Sequence, residues 1–317
     1  MFFMIECIID CDPGIDDAIA LILASRISDL DIKAITTVFG NSPLQNTSIN
    51  ALKILELINC RIPVAKGCGN PIIKDLRLSQ KLDKTISPHG SDGLANNNLP
   101  KPLIELKEIH AVDLIEKKIA QHPGKLTLIF LGPLTNLALL ILKNLQIISK
   151  IHEVIIMGGA IRVGGNVTKY SEFNIWADAE AAKIVFNHIK DKIILVPLDV
   201  TTKVVFKELE IFDKEGEYFQ FIHGILKYYS NFHLKYRGFY GSTLHDPLAV
   251  GIAHDRSLAK IEKLPIDIEI ENKEKYGKTF LMDDVLQDPG FINVCSSISD
   301  NQKERFLDLF IKKLSEK

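Results

Sequence analysis

The sequence has little of the net charge and none of the long apolar runs that mark nucleic-acid-binding and membrane proteins. Its formal net charge is −2, which gives no electrostatic attraction to a nucleic acid. No apolar run approaches the roughly 18 residues of a membrane span. The apolar start "MFFMIECII" lacks a basic region and meets Asp10 too early for a secretory signal. These absences predict a protein that binds neither nucleic acid nor membranes.

Cysteine is also scarce, and its spacing matches no disulfide or zinc framework. The five cysteines form an odd set without a C-x-x-C pair. Reduced thiols in a cytoplasmic protein are the plain interpretation of this pattern.

Apolar and charged residues are present in the proportions of an ordinary globular protein. They make up 46% and 25% of the 317 residues, so the chain can bury a sizeable core. Because α/β domains commonly reach this length, we expect a single domain over residues 1–317.

Stretches with strand and helix periodicity alternate along the chain. This alternation predicts an α/β fold with a mostly parallel central sheet flanked by helices, in which the active site lies at the carboxyl ends of the strands. Residues of about 67–102 contain too many breakers for a continuous element and predict a lid or site loop. Strands are predicted over residues 2–9 and in "IKAITTVFG", "IPVAKG", "LTLIFLG", "EVIIMGG" and "KIILVPLDV", and helices over residues 15–24, 44–58, 112–120, 179–188 and from Pro133.

Four carboxylates crowd the junction between the first predicted strand and the first predicted helix. They are Asp10, Asp12, Asp16 and Asp17 of "DCDPGIDDA". Each one alone could cap a helix or complement its dipole. Two such charges about 4 Å apart repel by roughly 4 kcal/mol at a dielectric constant near 20, so the cluster predicts a bound cation. An EF-hand is excluded, because its required glycine would fall on Ile15.

Other polar motifs follow later predicted strands and should therefore meet the carboxylates at one rim of the sheet. The stretch "EFN" places an acceptor and an amide together, as a polyol-binding site would. "LHDP" sets His245 and Asp246 before a predicted helix, where Asp246 could also be a plain N-cap. The full set of motifs is "VFGN", "GPLTN", "MGG", "GGNVT", "EFN" and "LHDP".

In this order and at these separations, the motifs closely resemble those of the inosine-uridine-preferring nucleoside hydrolase family. The resemblance runs from Ile8 to about Asp284, and "DCDPGIDD" is highly specific to the family. It implies hydrolysis of the N-glycosidic bond of ribonucleosides to ribose and free base, by a calcium-bound water that an Asp activates. It also implies one calcium ion, no organic cofactor and a homo-oligomer, either dimer or tetramer.

The resemblance gives individual residues a role by motif position. Asp12 would be both a metal ligand and the general base, and His245 the candidate acid for the departing base. Asp10 would orient the ligands. The metal ligands that it implies are Asp12, Asp17, Asp246 and the main-chain carbonyl of Leu131. The substrate-binding residues that it implies are Asp16, Asn41, His89, Met157, Asn166, Glu172 and Asn174.

A helical segment of about residues 215–245, rich in rings and basic groups, covers the nucleobase in the family. His233 and Arg237 are the candidates here for contact with the base. The purine-specific branch typically carries a tryptophan just before its last metal ligand, and here that position is His245. A pocket with histidines and no stacking tryptophan predicts a preference for pyrimidines, or acceptance of inosine and uridine alike.

The chain also departs from the family pattern at "PHGSDG". Ser91 and Asp92 stand there in place of a Glu-Ser pair, which affects the detail of the lid and leaves the metal site untouched.

Two other function classes stay open from the sequence. A haloacid-dehalogenase-type phosphatase also begins with D-x-D after a strand, with Asp10 as nucleophile and Asp12 as acid or base. Against it, no convincing lysine and second acidic pair follow downstream. A non-catalytic nucleoside-binding or calcium-binding protein is the other alternative, and the intact Asp12 argues against it. An assay for ribose release from nucleosides separates all three.

Overall fold

The computed structural model describes residues 4–73, 88–97, 99–207, 216–282 and 290–316. Strands and helices alternate through most of this part of the chain, as the sequence predicts. The strands are β1 Ile5–Cys11, β2 Leu30–Thr37, β3 Val64–Lys66, β4 Thr127–Phe130, β5 Glu153–Met157, β6 Ile193–Val196, β7 Val205–Phe206, β8 Ser242–Thr243, β9 Lys260–Leu264, β10 Ile266–Ile268, β11 Thr279–Leu281 and β12 Ile292–Ser297. The α-helices are α1 Ile15–Arg26, α2 Leu44–Leu57, α3 Ala111–Gln121, α4 Thr135–Lys143, α5 Phe173–Ala177, α6 Ala179–Ile189, α7 Leu198–Thr201, α8 Glu217–Arg237, α9 His245–His254 and α10 Asp300–Ser315.

The central sheet has eight strands in the order β3-β2-β1-β4-β5-β6-β12-β9. All neighbours in it are parallel except the edge strand β9, which pairs antiparallel with β12. The direction of winding reverses between β1 and β4, which lie side by side in the middle of the sheet. In sheets of this kind, the crevice for a ligand opens beyond the carboxyl ends of the two strands at the reversal.

Two apolar layers cover the sheet, one on each face. Side chains alternate along β1, so that Ile9 packs into one layer and Ile8 into the other. The first layer contains α1, α2, α8, α9 and α10, and the second contains α3, α4 and α6. Ten of the twelve residues of α1 are buried, so the helix that carries the acidic cluster is held rigidly within the core.

Several predicted elements differ in extent from those in the structure, among them the first strand, which was predicted to end at residue 9 and ends at Cys11. The strand predicted in "KIILVPLDV" ends at Val196, because Pro197 caps the short helix α7 and a proline cannot donate to a sheet ladder. The motif "EFN", placed in a loop from the sequence, opens the short helix α5, for which Glu172 is the N-cap. The predicted lid is covered only in part, since residues 74–87 and 98 lie outside the described residues.

The described residues contain no helix that is both long and apolar enough to cross a membrane. All five cysteines are free thiols, and four of them are buried.

Candidate active site

The turn between β1 and α1 folds back on itself through Asp17. One oxygen of the Asp17 carboxylate accepts the main-chain N–H of Asp12 at 3.1 Å, and the other accepts that of Gly14 at 3.0 Å. Gly14 is the N-cap of α1, so Asp12 does not cap this helix. The side-chain amide of Asn41, which follows β2, also donates to Asp17 at 3.0 Å.

Asp12 lies between two glycines at the ends of neighbouring strands. Its Oδ2 accepts the main-chain N–H of Asn41 at 2.6 Å, while its Oδ1 is buried and has no hydrogen-bond partner among the residues that the structure describes. A Cβ on Gly132 would come within 2.6 Å of Oδ1, and one on Gly40 within 1.9 Å of Oδ2. Only glycine therefore leaves space for this carboxylate.

Asp16 brings the distant residue Asp246 to the same place. Asp16 Oδ2 accepts the main-chain N–H of Asp246 at 3.1 Å, across 230 residues of sequence, and Asp16 Oδ1 has no hydrogen-bond partner within the described part of the chain. Asp246 stands in the first turn of α9, whose N-cap is Leu244. The carboxylate of Asp246 is thus not a helix cap, and it faces the other acids of the cluster.

Burial and mutual repulsion make this cluster unfavourable when all of its carboxylates are ionised. Burial, followed by the charge of Asp17, raises the pKa of both Asp12 and Asp246 well above the ordinary value. Burial also raises the pKa values of Asp16 and Asp17. Among the described neighbours that shift these pKa values, all the charged groups are other carboxylates. A proton or a bound cation must therefore supply the balancing charge.

The chemistry of the donor set fits a hard cation, although the side chains do not form a ready-made cage. Within the described residues, no three acidic, histidine or cysteine side chains converge closely enough to surround a metal ion. The fit rests on the buried Asp12 Oδ1, which has no hydrogen-bond partner among the described residues, and on the nearby carbonyl of Leu131. Carboxylate and carbonyl oxygens are the ligands that calcium prefers.

Asp10 lies in β1, two residues before Asp12, and accepts hydrogen bonds from two neighbouring side chains. Its Oδ2 accepts the hydroxyl of Thr36 at 2.5 Å and the amide of Asn136 at 2.7 Å. Burial raises the pKa of Asp10 to about 7, despite these hydrogen bonds. The main-chain carbonyl of Asp10 also accepts the N–H of Leu131 at 2.8 Å, which joins the ends of β1 and β4.

Glu172 and Asn174, which the resemblance assigns to ribose binding, lie at the ends of β4 and β5. The Glu172 carboxylate accepts the N–H groups of Gly159, Asn174 and Ile175 at 2.9 to 3.1 Å, so it holds the start of α5. The amide of Asn174 donates to the carbonyls of Leu131 at 2.7 Å and Met157 at 3.2 Å. These side chains are therefore fixed by the protein itself.

Asn166 and Arg237 are in direct contact. Asn166 Oδ1 accepts the N–H of Phe173 at 2.9 Å, and the Arg237 guanidinium donates to the main-chain carbonyl of Asn166 at 2.8 Å. Arg237 is exposed at the end of α8. The structure thus places Arg237 on the loop that carries Asn166.

A wall of histidines and aromatic rings closes the side of the site toward α8. The ring of Tyr229 lies between those of His89 and His233, with centroids 5.8 and 4.3 Å away, and Phe239 stacks on His233 at 5.0 Å. His89 Nδ1 accepts the N–H of Ile15 at 3.0 Å, which ties the loop of residues 88–97 to the start of α1. Burial lowers the pKa of His89 to about 4.

His245 has both ring nitrogens bonded to threonine hydroxyls. Nδ1 lies 2.7 Å from Thr201 Oγ1, and Nε2 lies 2.9 Å from Thr243 Oγ1, which also bonds to the hydroxyl of Tyr229. Burial, together with the nearby His233 and His89, lowers the pKa of His245 to about 3. The imidazole is therefore neutral over the physiological pH range in this structure.

Sequence reasoning missed the residues that hold the site together from outside it. Asn136 is part of "GPLTN", so a motif marked it without giving its role on Asp10. No sequence motif marks the three threonines Thr36, Thr201 and Thr243. Thr36 and Thr201 contact residues that are distant in sequence, and the contact of Thr243 with the nearby His245 depends on the local fold.

The sequence of residues 7–308 matches the family described as inosine-uridine preferring nucleoside hydrolase. The chain belongs to this family. Membership makes it a ribonucleoside hydrolase, as the resemblance in the sequence predicts. The phosphatase and the non-catalytic alternatives receive no support from the comparisons.

Relatives from plants and bacteria extend this finding. Uridine nucleosidase 1 of Arabidopsis thaliana is 37% identical over 249 residues, which span 77% of this chain and 72% of the relative. The pyrimidine-specific ribonucleoside hydrolase RihA of Photobacterium profundum is 36% identical over 318 residues, which span 97% and 98%.

Solved structures share the fold across nearly the whole chain. The plant nucleoside hydrolase PpNRh1 superposes with a TM-score of 0.88 at 29% identity, covering 98% of this chain and 99% of that one. The purine-preferring ribonucleoside hydrolase from Gardnerella vaginalis gives the same TM-score at 27% identity, covering 98% of each chain.

Proposed function

We propose that this protein hydrolyses the N-glycosidic bond of pyrimidine ribonucleosides to ribose and free base, with Asp12 as the general base and calcium as the metal ion. The observation that carries the proposal is the buried cluster of Asp12, Asp16, Asp17 and Asp246 at the reversal point of a parallel sheet. Its repulsion has no positive side chain to offset it among the described neighbours that shift its pKa values.

The ligands of the cation in this proposal are Asp12, Asp17, Asp246 and the carbonyl of Leu131. All four residues are at most 4% exposed, so that water competes poorly for their oxygens. Bound calcium supplies positive charge that offsets the carboxylates and makes a water molecule easier to deprotonate. Calcium suits this position because it accepts six to eight oxygen ligands and tolerates irregular geometry.

Asp12 takes the proton from the attacking water. Its Oδ1 has no partner among the described residues, which leaves a buried acceptor available for a proton. The N–H of Asn41 on Oδ2 fixes the orientation of the carboxylate, and the two glycines leave the space that this orientation needs. A base in this position contributes by taking the proton as the bond to C1′ forms.

The ribose is held by hydroxyl contacts that strengthen as positive charge develops on the sugar. Asp16 supplies a buried acceptor, Oδ1, that no described residue hydrogen-bonds. The other residues in this role are Asn41, Met157, Asn166, Glu172 and Asn174, and they lie on the rim formed by the loop after β2, the end of β5 and helix α5.

The wall of His89, Tyr229, His233 and His245 is the place for the base. It offers imidazole nitrogens and no indole, since Trp176 lies in α5 and is buried. Two relatives that act on uridine or on pyrimidines, by their names, support a pyrimidine preference. His245 is the candidate group for stabilising the departing base, and Arg237 acts through the loop that carries Asn166.

A panel of nucleosides tests the proposal. We expect kcat/KM for uridine or cytidine to exceed that for adenosine at least tenfold, and His245→Ala to lower kcat for the preferred substrate. His188→Ala, on the exposed surface of α6, is the matched control and should leave kcat unchanged. A hundredfold preference for purines that His245→Ala leaves unaffected would contradict the assignment of the base pocket.

The resemblance also predicts a homo-oligomer, and the cysteine pattern predicts a cytoplasmic protein. Light scattering coupled to size-exclusion chromatography measures the first of these, and a dimer or tetramer is the expected result.

A further inference from the structure

The side-chain amide of Asn174 lies between the ends of strands β4 and β5. Its Nδ2 is 2.7 Å from the carbonyl oxygen of Leu131, 3.2 Å from that of Met157 and 3.4 Å from the Met157 sulfur. Asn174 is 5% exposed, so these contacts form in a nearly dry environment. The shortest of them is to the carbonyl of Leu131.

The backbone around Asn174 is fixed independently of this amide. Glu172 caps α5 and accepts the N–H of Asn174 at 2.9 Å and that of Ile175 at 3.1 Å. The same carboxylate accepts the N–H of Gly159, which follows β5, at 2.9 Å. Because α5 is held to the sheet in this way, the amide has a defined direction from which to donate.

A carbonyl oxygen has two lone pairs, so one donor leaves the other lone pair available. The peptide of Leu131 stands directly after β4, where the strand ends and its carbonyl is no longer aligned by the sheet. A donor at 2.7 Å therefore sets the direction in which the remaining lone pair points.

We infer that Asn174 is a positioning residue for the calcium site, which orients the Leu131 carbonyl toward the carboxylate cluster. This inference rests on the proposed function, in which that carbonyl is a metal ligand. It gives Asn174 a role beyond contact with ribose, and it makes α5 the element that joins sugar recognition to metal affinity. Partners that orient metal ligands typically change affinity by about 10- to 100-fold when they are removed.

Calcium titration of chelator-stripped protein, without nucleoside, tests this inference. Asn174→Leu keeps the volume of the side chain and removes the donor, and Asn174→Ala is a second variant in case leucine does not fit. Asn293→Leu is the matched control, because the Asn293 amide also donates to a strand carbonyl, that of Ile193 at 3.2 Å, in another part of the sheet. Unfolding in chelator shows whether each variant is folded before calcium is added.

We expect the calcium dissociation constant to rise at least tenfold in Asn174→Leu and Asn174→Ala, and to stay within twofold of wild type in Asn293→Leu. The stability of the folded variants in chelator should change far less than their calcium affinity, which a purely structural role would not produce. Equal or tighter calcium binding by the Asn174 variants overturns the inference and leaves the proposed function standing. Absence of calcium binding by the wild-type protein overturns both.

Discussion

The position of Asp12 depends on the absence of side chains at two neighbouring glycines as much as on its hydrogen bonds. Gly132 and Gly40 approach its two oxygens so closely that a methyl group has no space at either position. Carboxylate position matters for catalysis because a shift of about 1 Å in a reacting group can cost a hundredfold in rate. In the mechanism that we propose, the glycine of "GPLTN" is therefore part of the catalytic geometry.

Gly132→Ala should lower kcat by on the order of a hundredfold, because its Cβ would lie 2.6 Å from Asp12 Oδ1 and displace it. Steady-state kinetics at saturating calcium measure the effect. Gly69→Ala is the control, since its Cβ would meet nothing closer than 3.6 Å. Near-wild-type turnover in Gly132→Ala would show that Asp12 has more freedom than the structure allows.

His89 should make the protein less stable as the pH falls from 7 to 5. Its pKa is lowered from 6.5 to about 4 by burial beside His233, so below pH 6.5 the unfolded chain binds a proton that the folded chain refuses. The free energy of unfolding then falls by about 2 kcal/mol between pH 7 and pH 5 through this group.

Urea unfolding of wild type and His89→Asn at the two pH values isolates that contribution. The asparagine oxygen can replace the acceptor for the N–H of Ile15 but cannot take up the proton. The variant should lose about 2 kcal/mol less than wild type over this range, and His188→Asn should behave as wild type does. The same pH dependence in His89→Asn and in wild type would exclude His89 as its source.

The candidate site could be predicted from sequence where a residue carries its own signal. Three of the carboxylates, Asp12, Asp17 and Asp246, stand in motifs of the family pattern. Clustered like charges also repel one another, so they predict a bound cation. Thr201 and Thr243 could not be predicted, because a threonine is common everywhere and their contact with His245 depends on how α7 and β8 pack. His245 itself was predicted, but not that both of its nitrogens are bonded.

At the scale of elements, strong periodicity predicted the strand and helix alternation, and weak or short elements escaped. The predicted range of residues 44–58 differs from α2 only at its end. Helix α5 has five residues, too few for periodicity to show, and its existence depends on the Glu172 cap. The end of β6 depends on Pro197, and a proline in the sequence is a local signal that a strand ends.

Helix α8 and the loop of Asn166 are joined by a contact that should affect substrate binding. Arg237→Gln removes the charged donor to the Asn166 carbonyl, so we expect KM to rise several-fold with a smaller change in kcat, since exposed hydrogen bonds contribute little. Lys235→Gln, in the same last turn of α8, is the control. A fall in kcat with an unchanged KM would place Arg237 in the chemical step instead.

At the scale of the whole molecule, the fold buries four carboxylates together, where the energetic cost of their charge is highest. The net charge of −2 gives no hint of this, because the four acids are offset by basic residues elsewhere on the chain. Residues 230 positions apart meet only because β1 and β4 are neighbours and α9 returns to the start of α1. From the sequence alone, this arrangement could be predicted only through the resemblance of the whole motif pattern to the family.

Ribose release from uridine by chelator-stripped protein, before and after calcium is restored, tests the central claim most directly. Wild type should be inactive without calcium and regain full turnover with it. Asp12→Asn should stay about 10²- to 10⁴-fold slower at saturating calcium, the range expected for loss of a general base. Asp178→Asn, a buried carboxylate that bonds to Thr135 instead, should recover as wild type does. Full turnover in chelator, or by Asp12→Asn, would contradict the account.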